Sequence, residues 1–242
     1  MKATDAADLL VERVRSRPWG LAVGAVAEGE VSTKVDPGID PADVSTTFQW
    51  GSITKTMTGA LVAYAIESDG LHPGSTLGET LGISGAAAAI TIGELATQRS
   101  GLPRLPPNLD LSKIDEHDPY ASYTESDLLE ALATCELGPK EYAYSNFGFM
   151  TLGRVVATAA GAEYAEVLRS RILEPLGMSL TGCPPAESGR VPGYSGPTQV
   201  PWWSTQLPGA GGVGGPITDL TAYLLTMPLR PPNAFHAYSR MR

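Results

Sequence analysis

Ser52 and Lys55, set three apart in Trp50-Gly51-Ser52-Ile53-Thr54-Lys55-Thr56-Met57, constrain this chain more than any other feature. The residues before Ser52 are aromatic or small and read as an extended lead-in. After it, Ile53, Met57, Ala60, Leu61 and Tyr64 recur at three- and four-residue spacing, which predicts a helix with one apolar stripe, stopped at Gly70. Positions i and i+3 share a helix face, so Lys55 can reach the Ser52 hydroxyl. First-turn N–H groups lack intrahelical acceptors and point toward incoming negative charge. The positive helix end and burial lower the pKa of a lysine placed there and let it serve as a base. A serine hydroxyl needs such a neighbour to act as a nucleophile. The same four residues also suit a plain helix start with a solvated lysine, so the pattern needs context.

The 242 residues suffice for one large domain or two small ones, and a chain 43% hydrophobic and 18% charged can bury a core. A net charge of −9 disfavours nucleic acid or an anionic membrane as partner. Cys135 and Cys183 fit no metal spacing, and His72, His117 and His236 form no ligand pattern. Acid at Asp5 and Asp8 stands where a secretory signal would be apolar, and no stretch approaches a membrane span; a soluble, cytoplasmic protein is expected.

Asp5 to about Ser16 reads as a helix ended by Pro18. Gly20 to Val26 and Val31 to Val35 read as two strands joined at Glu28-Gly29-Glu30. Leu71 to Ile90 reads as loop. Thr91-Ile92-Gly93-Glu94 is a capping box for a short helix. Leu102 to Tyr123 is a long segment without periodicity, and loops of that length tend to carry function. Further helices are predicted from Thr124 to about Thr134, Phe147 to Ala160 closed by Gly161, and Tyr164 to Leu173 closed by Pro175 and Gly177. Beyond Cys183 the composition shifts to Pro, Gly and Ser.

Tyr144-Ser145-Asn146 stands immediately before a predicted helix. Facing Ser52, Tyr144 could relay a proton, with Lys55 as the close cation a phenol requires. Asn146 could offer its amide to Lys55 or to a substrate carbonyl. A core tyrosine and a helix-capping asparagine would fit the same residues. Gly209-Ala210-Gly211-Gly212-Val213-Gly214 satisfies G-x-G-x-x-G but lacks a preceding strand and a following acid at the right distance, so no dinucleotide site is expected. Trp202-Trp203 suits either an apolar wall for an acyl group or core packing.

Ser52-x-x-Lys55 followed by Tyr144-Ser145-Asn146 resembles the serine hydrolases of the β-lactamase and penicillin-binding type, class C β-lactamases and related esterases in particular. Trp50 to Gly59, Ser100-Gly101-Leu102-Pro103, Tyr144 to Gly148, Pro175 to Thr181, and Gly211-Gly212-Val213 with Thr218-Asp219-Leu220 resemble that family in family order. The resemblance spans about residue 10 to residue 226.

It implies a mixed α/β fold, with an antiparallel sheet flanked by helices and a helical subdomain. The division expected is one domain over 1–242, with 1–75 and about 201–242 forming the α/β part and about 76–200 the mainly helical part. It implies an acyl-enzyme on Ser52, formed from an ester, amide or β-lactam, with Lys55 as base partner, Tyr144 as second general acid/base and Asn146 as substrate or lysine contact. Gln98 is carried with Asn146 as a substrate-side residue. Gln98-Arg99 replaces the family's His-Thr or His-Arg, at a position expected to be chiefly structural. The partner implied is a small-molecule acyl substrate, and no metal or organic cofactor is implied.

The family's third motif, a Lys/His-x-Gly strand that adds an oxyanion N–H, has no counterpart in this sequence. The basic stretch Pro228 to Arg242 reads as a truncated or frame-shifted end with the last strands missing. Loss of one oxyanion donor costs about 10²–10³ in rate. Loss of strands would leave a sheet edge open, for which self-association is one remedy. The alternative function is therefore a non-catalytic relative, or inactive fragment, that binds a ligand or partner.

Overall fold

The structure is a computed structural model that describes residues 1–14, 19–38, 42–110, 112, 115, 117–185, 189–195 and 197–226. Pro18, His236 and the stretch Pro228 to Arg242 lie outside the described residues.

The fold is mixed α/β. Helix α1 (Ala3–Val14) leads into strands β1 (Trp19–Ala27) and β2 (Glu30–Gly38), which pair antiparallel with Val23 opposite Lys34 and Val26 opposite Val31. The turn is the one Glu28-Gly29 signals, both residues having positive φ (52° and 82°). That geometry matches the strand twist of a two-residue hairpin. Helix α1 packs Ala3 and Ala7 against Val23 and Ala25, which form a small core of their own. Two further ladders are short: β3 (Phe48–Gln49) with β6 (Gly214–Gly215), and β4 (Gly193–Ser195) with β5 (Thr198–Val200). Among the described residues the three ladders are not joined to one another. Helix α8 (Ile217–Thr226) follows β6 and lies on β1 so closely that a Cβ on Gly24 would meet Thr221 Cγ2 at 2.2 Å.

The larger core is helical. It gathers Met57, Leu61 and Val62 of α2 (Thr54–Ser68), Leu77 of α3 (Leu77–Leu81), Ile92 and Leu95 of α4 (Ile92–Ala96), Leu128 and Leu132 of α5 (Glu125–Thr134), and Phe147, Leu152 and Val156 of α6 (Asn146–Ala160). Capping is local and strong. Thr91 with Glu94 and Thr124 with Asp127 form reciprocal capping boxes, and Gly161 closes α6 in the left-handed conformation. Gly70 (φ 74°) ends α2, and Leu71 N–H returns to the Ala65 carbonyl at 3.1 Å. Helix α7 (Tyr164–Leu168) is followed by a wider π turn over Arg169–Leu173.

Several expectations need correction. Leu71 to Ile90 is not all loop: Thr76 and Glu79 form a third capping box that opens α3, and Ala86–Ala89 is a 3₁₀ turn. Its Gly- and Ala-rich composition offers no apolar period to read. The buried face of α2 is also rotated from the predicted stripe. Ile53, Ala60 and Tyr64 are exposed, while Thr54, Lys55, Thr58 and Gly59 are buried. Polar groups are turned inward there because each has a partner: the Thr58 hydroxyl donates to the Gly209 carbonyl at 2.7 Å and accepts from Tyr164 OH at 2.7 Å. Tyr164 to Leu173 is not one regular helix, since the π turn places both Ile172 and Leu173 in the core. The β4–β5 ladder appears where only a composition shift was visible.

The G-x-G-x-x-G run is a packing element. A Cβ on Gly209 would stand 2.4 Å from the Phe149 carbonyl oxygen and 2.8 Å from Gly153 Cα, so the strip lies directly against α6. Gly209→Ala should lower stability by about 1–3 kcal/mol, as overpacking does. Gly70→Ala, strained at positive φ but facing open space, should cost less. Urea denaturation midpoints of the two variants check this; equal midpoints would refute the close-packed strip.

Candidate active site

Ser52 sits in a 3₁₀ turn (Gly51–Ile53) that runs directly into α2. The lead-in is fixed from both sides. Trp50 N–H donates to the Val213 carbonyl at 3.0 Å, and its indole N–H donates to the Gly215 carbonyl at 2.9 Å. Val213 N–H in turn donates to Thr54 Oγ1 at 3.2 Å. The serine is exposed at the end of a helix whose root is buried, which is the local geometry the sequence predicts.

Lys55 is 7% exposed. Its ammonium donates to Ser52 Oγ at 3.1 Å and to the Ala210 carbonyl at 2.6 Å. Tyr144 OH lies 2.7 Å from Ser52 Oγ. The Lys55 ammonium also stands 4.9 Å from the centre of the Tyr144 ring. Ser52, Lys55 and Tyr144, separated by up to 92 residues in sequence, thus converge on one oxygen.

The electrostatics follow from this packing. Burial pulls the Lys55 pKa below its ordinary value, the adjacent Tyr144 oxygen acts against that, and Arg104 adds to the depression. At Tyr144, burial pushes the phenol up, but hydrogen bonds from Lys55 and Ser52 and the charges of Lys55 and Arg104 outweigh it, so its pKa lies below the ordinary phenol value. Both groups that touch Ser52 Oγ are thus held below their ordinary pKa values.

Asn146 is the first residue of α6, and Ser145 is its N-cap, with Ser145 Oγ accepting from Gly148 N–H at 2.8 Å. Asn146 Nδ2 donates to Tyr120 OH at 3.2 Å. Its Oδ1 is buried and, among the described residues, has no partner. Asn146 lines the same cleft as Gly51, Ser52, Tyr120, Trp203 and Gly211. Gln98 does not line it. The Gln98 carboxamide oxygen accepts from Ser145 N–H at 2.9 Å and its carbonyl from Ala143 N–H at 2.9 Å, so it holds the loop that presents Tyr144. Its backbone is left-handed (φ 59°), a conformation a non-glycine residue holds only when its surroundings fix it.

Trp202 and Trp203 take different places, and neither is among the core residues. Trp202 donates its indole N–H to the Val191 carbonyl at 2.7 Å, beside the Arg190 guanidinium. Trp203 packs edge-on against Tyr120 at 5.7 Å and borders the Ser52 cleft. Sequence reasoning missed three contributors: Tyr120, inside the flagged aperiodic loop; the Ala210 carbonyl, which no side-chain pattern can reveal; and Arg104. The signal for Arg104 was a cation placed directly after Ser100-Gly101-Leu102-Pro103. Among the described residues no three His, Cys, Asp or Glu side chains are grouped to hold a metal ion, and no helix is long and apolar enough to cross a membrane.

Three comparisons bear on this arrangement. The β-lactamase family profile matches residues 8–239. Beta-lactamase-like protein 2 of Dictyostelium discoideum is 29% identical over 157 residues, covering 60% of this chain and 27% of that protein. An unguisins hydrolase of Aspergillus violaceofuscus is 26% identical over 227 residues, covering 82% of this chain and 38% of that protein. This chain therefore spans well under half the length of these curated relatives. The crystal structure of a class C β-lactamase from Rhodobacter sphaeroides superposes with a TM-score of 0.76 at 23% identity, covering 98% of this chain and 69% of that one. With a family match over nearly its whole length and the fold to accompany it, this chain belongs to the β-lactamase family of serine hydrolases.

Proposed function

We propose that this protein is a serine hydrolase that works through an acyl-enzyme on Ser52. The observation that carries the reading is the convergence of Lys55 Nζ (3.1 Å) and Tyr144 OH (2.7 Å) on Ser52 Oγ. Lys55 donates to Ser52 Oγ, which leaves the hydroxyl proton directed at the Tyr144 oxygen. With Tyr144 ionised to the phenolate beside the Lys55 charge, that proton passes to the Tyr144 oxygen as Oγ attacks an acyl carbon. Tyr144 then delivers it to the departing oxygen or nitrogen as that bond breaks. Water repeats the sequence in reverse, releasing the acid and restoring the serine. The Ser52 N–H, in the first turn, faces the oxyanion. Asn146 is proposed as a substrate contact, and Gln98 as a residue that acts by positioning Tyr144. The substrates in view are esters, amides and β-lactams. Occupancy of the cleft without turnover is the alternative.

Treatment with a fluorophosphonate, followed by intact-mass measurement, should add one phosphonyl group to the protein and none to Ser52→Ala. Tyr144→Phe should label slower by about 10²–10⁴-fold, the span typical of a lost general acid/base. Absence of adduct on folded protein would exclude the acyl-enzyme and leave a binding protein.

Labelling should also rise with pH, because the pair must lose one proton before Ser52 can. Its inflection should fall below that of a free phenol, since Lys55 and Arg104 lower Tyr144. Lys55→Ala removes the nearest cation, so the inflection should move to higher pH along with a loss of rate. An inflection at the same pH in Lys55→Ala would detach Lys55 from the proton transfer.

A further inference from the structure

Strand β1 has the sequence of an inner strand and the position of an edge strand. Among the described residues it pairs with β2 alone, and no backbone hydrogen bond joins either strand to another segment. Both faces of the hairpin are covered all the same: Val23 and Ala25 pack on α1, and Gly24 faces Thr221 of α8. A ribbon of two strands thus lies between two helices, with an open edge on each side. The edges differ. Strand β2 carries Glu30, Lys34 and Asp36, and charged side chains keep an edge strand from pairing. Strand β1 carries no charged residue over Trp19–Ala27, the composition of a strand enclosed on both sides. The helices mark the same edge. Asp8 of α1 is ion-paired with Lys34, which fixes the flank of α1 that lies over β2. Leu10 stands two residues further on, about 200° around the helix, and so falls on the opposite flank, over the outer edge of β1. It is 46% exposed, although it follows the buried Ala3 and Ala7 at helical spacing. On the other face Leu225 follows the buried Ile217 and Thr221 at the same spacing and is also 46% exposed. Each buried stripe runs out on an uncovered leucine.

We propose that the outer edge of β1 docks a second copy of this chain, whose own β1 adds antiparallel about a two-fold axis, so that two hairpins join into one four-stranded sheet. The choice of partner follows from symmetry and charge. Residues directly opposite in an antiparallel pair lie on the same face of the sheet. With the axis at Val23, Val23 stands opposite Val23, and Leu21 of each protomer opposite Ala25 of the other. Side chains that pack on α1 therefore meet their like, and the two α1 helices come side by side with Leu10 turned toward the seam. Such a contact is isologous and closes on itself. Neither strand brings a charge to it, so two molecules of net charge −9 meet where no like charges are set opposite one another. A strand that alternates charged and apolar residues would instead place charges beside Leu21 and Val23, where nothing on β1 pairs with them. The backbone supplies the rest: the outward N–H and C=O groups of β1 exchange water for the matching groups of the second copy.

Sedimentation velocity of the full chain over a wide concentration range should show a monomer–dimer equilibrium. Leu10→Glu changes an exposed residue, so its circular dichroism spectrum should be unaltered while dimerisation weakens by about tenfold or more, the scale of one leucine withdrawn from an apolar contact. Two further measurements locate the interface. A spin label on Glu30→Cys, with Cys135 and Cys183 buried, reports the distance between protomers. Glu30 lies opposite Ala27, four residues from the axis, so strand rise and strand spacing place the two labels about 30 Å apart. Amide hydrogen exchange should slow, on dimerisation, at the β1 amides that point away from β2, and stay fast at the outward amides of β2. A chain that stays monomeric at every concentration would overturn the proposal, and slow exchange along β1 in that monomer would show the edge covered from within the same chain. A dimer without the label distance, or with β1 amides as fast as in the monomer, would place the interface elsewhere and overturn it equally. These readouts are independent of turnover at Ser52, so the fluorophosphonate result and this one stand or fall separately.

Discussion

A buried ammonium organises this molecule. Lys55 has left water, and a charge in that position persists only with oxygens around it. Ser52 Oγ and the Ala210 carbonyl supply them at 3.1 and 2.6 Å, with Tyr144 adjoining. The Ala210 carbonyl can arrive there because the residue before it has no side chain. Gly209 lies against Phe149 and Gly153 of α6, with no room for a Cβ, whereas a Cβ on Gly211 would meet Gly51 only at an ordinary 3.8 Å. The site is thus assembled from three sequence-distant pieces: the start of α2, the loop before α6 and the 209–215 strip. The strip brings backbone rather than side chains to the centre.

The same strip links the two cores. After passing α2 and α6 it pairs with Phe48 and Gln49 as β6, then becomes α8, which lies on β1 beside Gly24. Asp219, one turn into α8, accepts from Thr181 Oγ1 at 2.9 Å and from Leu180 N–H at 3.2 Å, tying this end to the segment after the π turn. A shift of the strip would therefore disturb both the Lys55 contact and the packing of the hairpin.

Legibility in the sequence followed how local each cause was. The capping box at Thr91, the helix start at Thr124, the Glu28-Gly29 turn and the stops at Gly70 and Gly161 are settled within four residues, and they read correctly. The Thr76–Glu79 box was equally local but sat in a run of small residues that hid it. The phase of α2 failed for a different reason. Its inward face carries Thr54, Lys55 and Thr58, whose burial depends on the distant groups Val213, Ala210, Gly209 and Tyr164. Periodicity counts apolar residues and cannot anticipate polar ones buried by partners 100 or more positions away. Ser52, Lys55 and Tyr144 were legible as motif residues and the reach of Lys55 to Ser52 followed from their spacing, but the arrival of Tyr144 from 92 positions away did not. Gln98 was read both as chiefly structural and on the substrate side, and it holds Ser145 and Ala143 of the loop that carries Tyr144.

Asn146 illustrates what a site keeps in reserve. One end of its amide donates to Tyr120; the other end, Oδ1, is buried without a partner among the described residues. A buried acceptor left unpaired costs about 1–3 kcal/mol. Rotation of the side chain toward solvent would recover that cost, but Tyr120 holds the amide and Arg104 holds the backbone beneath it. The orphan atom belongs to a residue that lines the cleft containing Ser52, so under the proposed reaction a substrate donor is the partner it would take. The donor would recover in the complex what the free protein forgoes, which is how a fixed polar group converts its own lack of a partner into selectivity for a ligand that brings one.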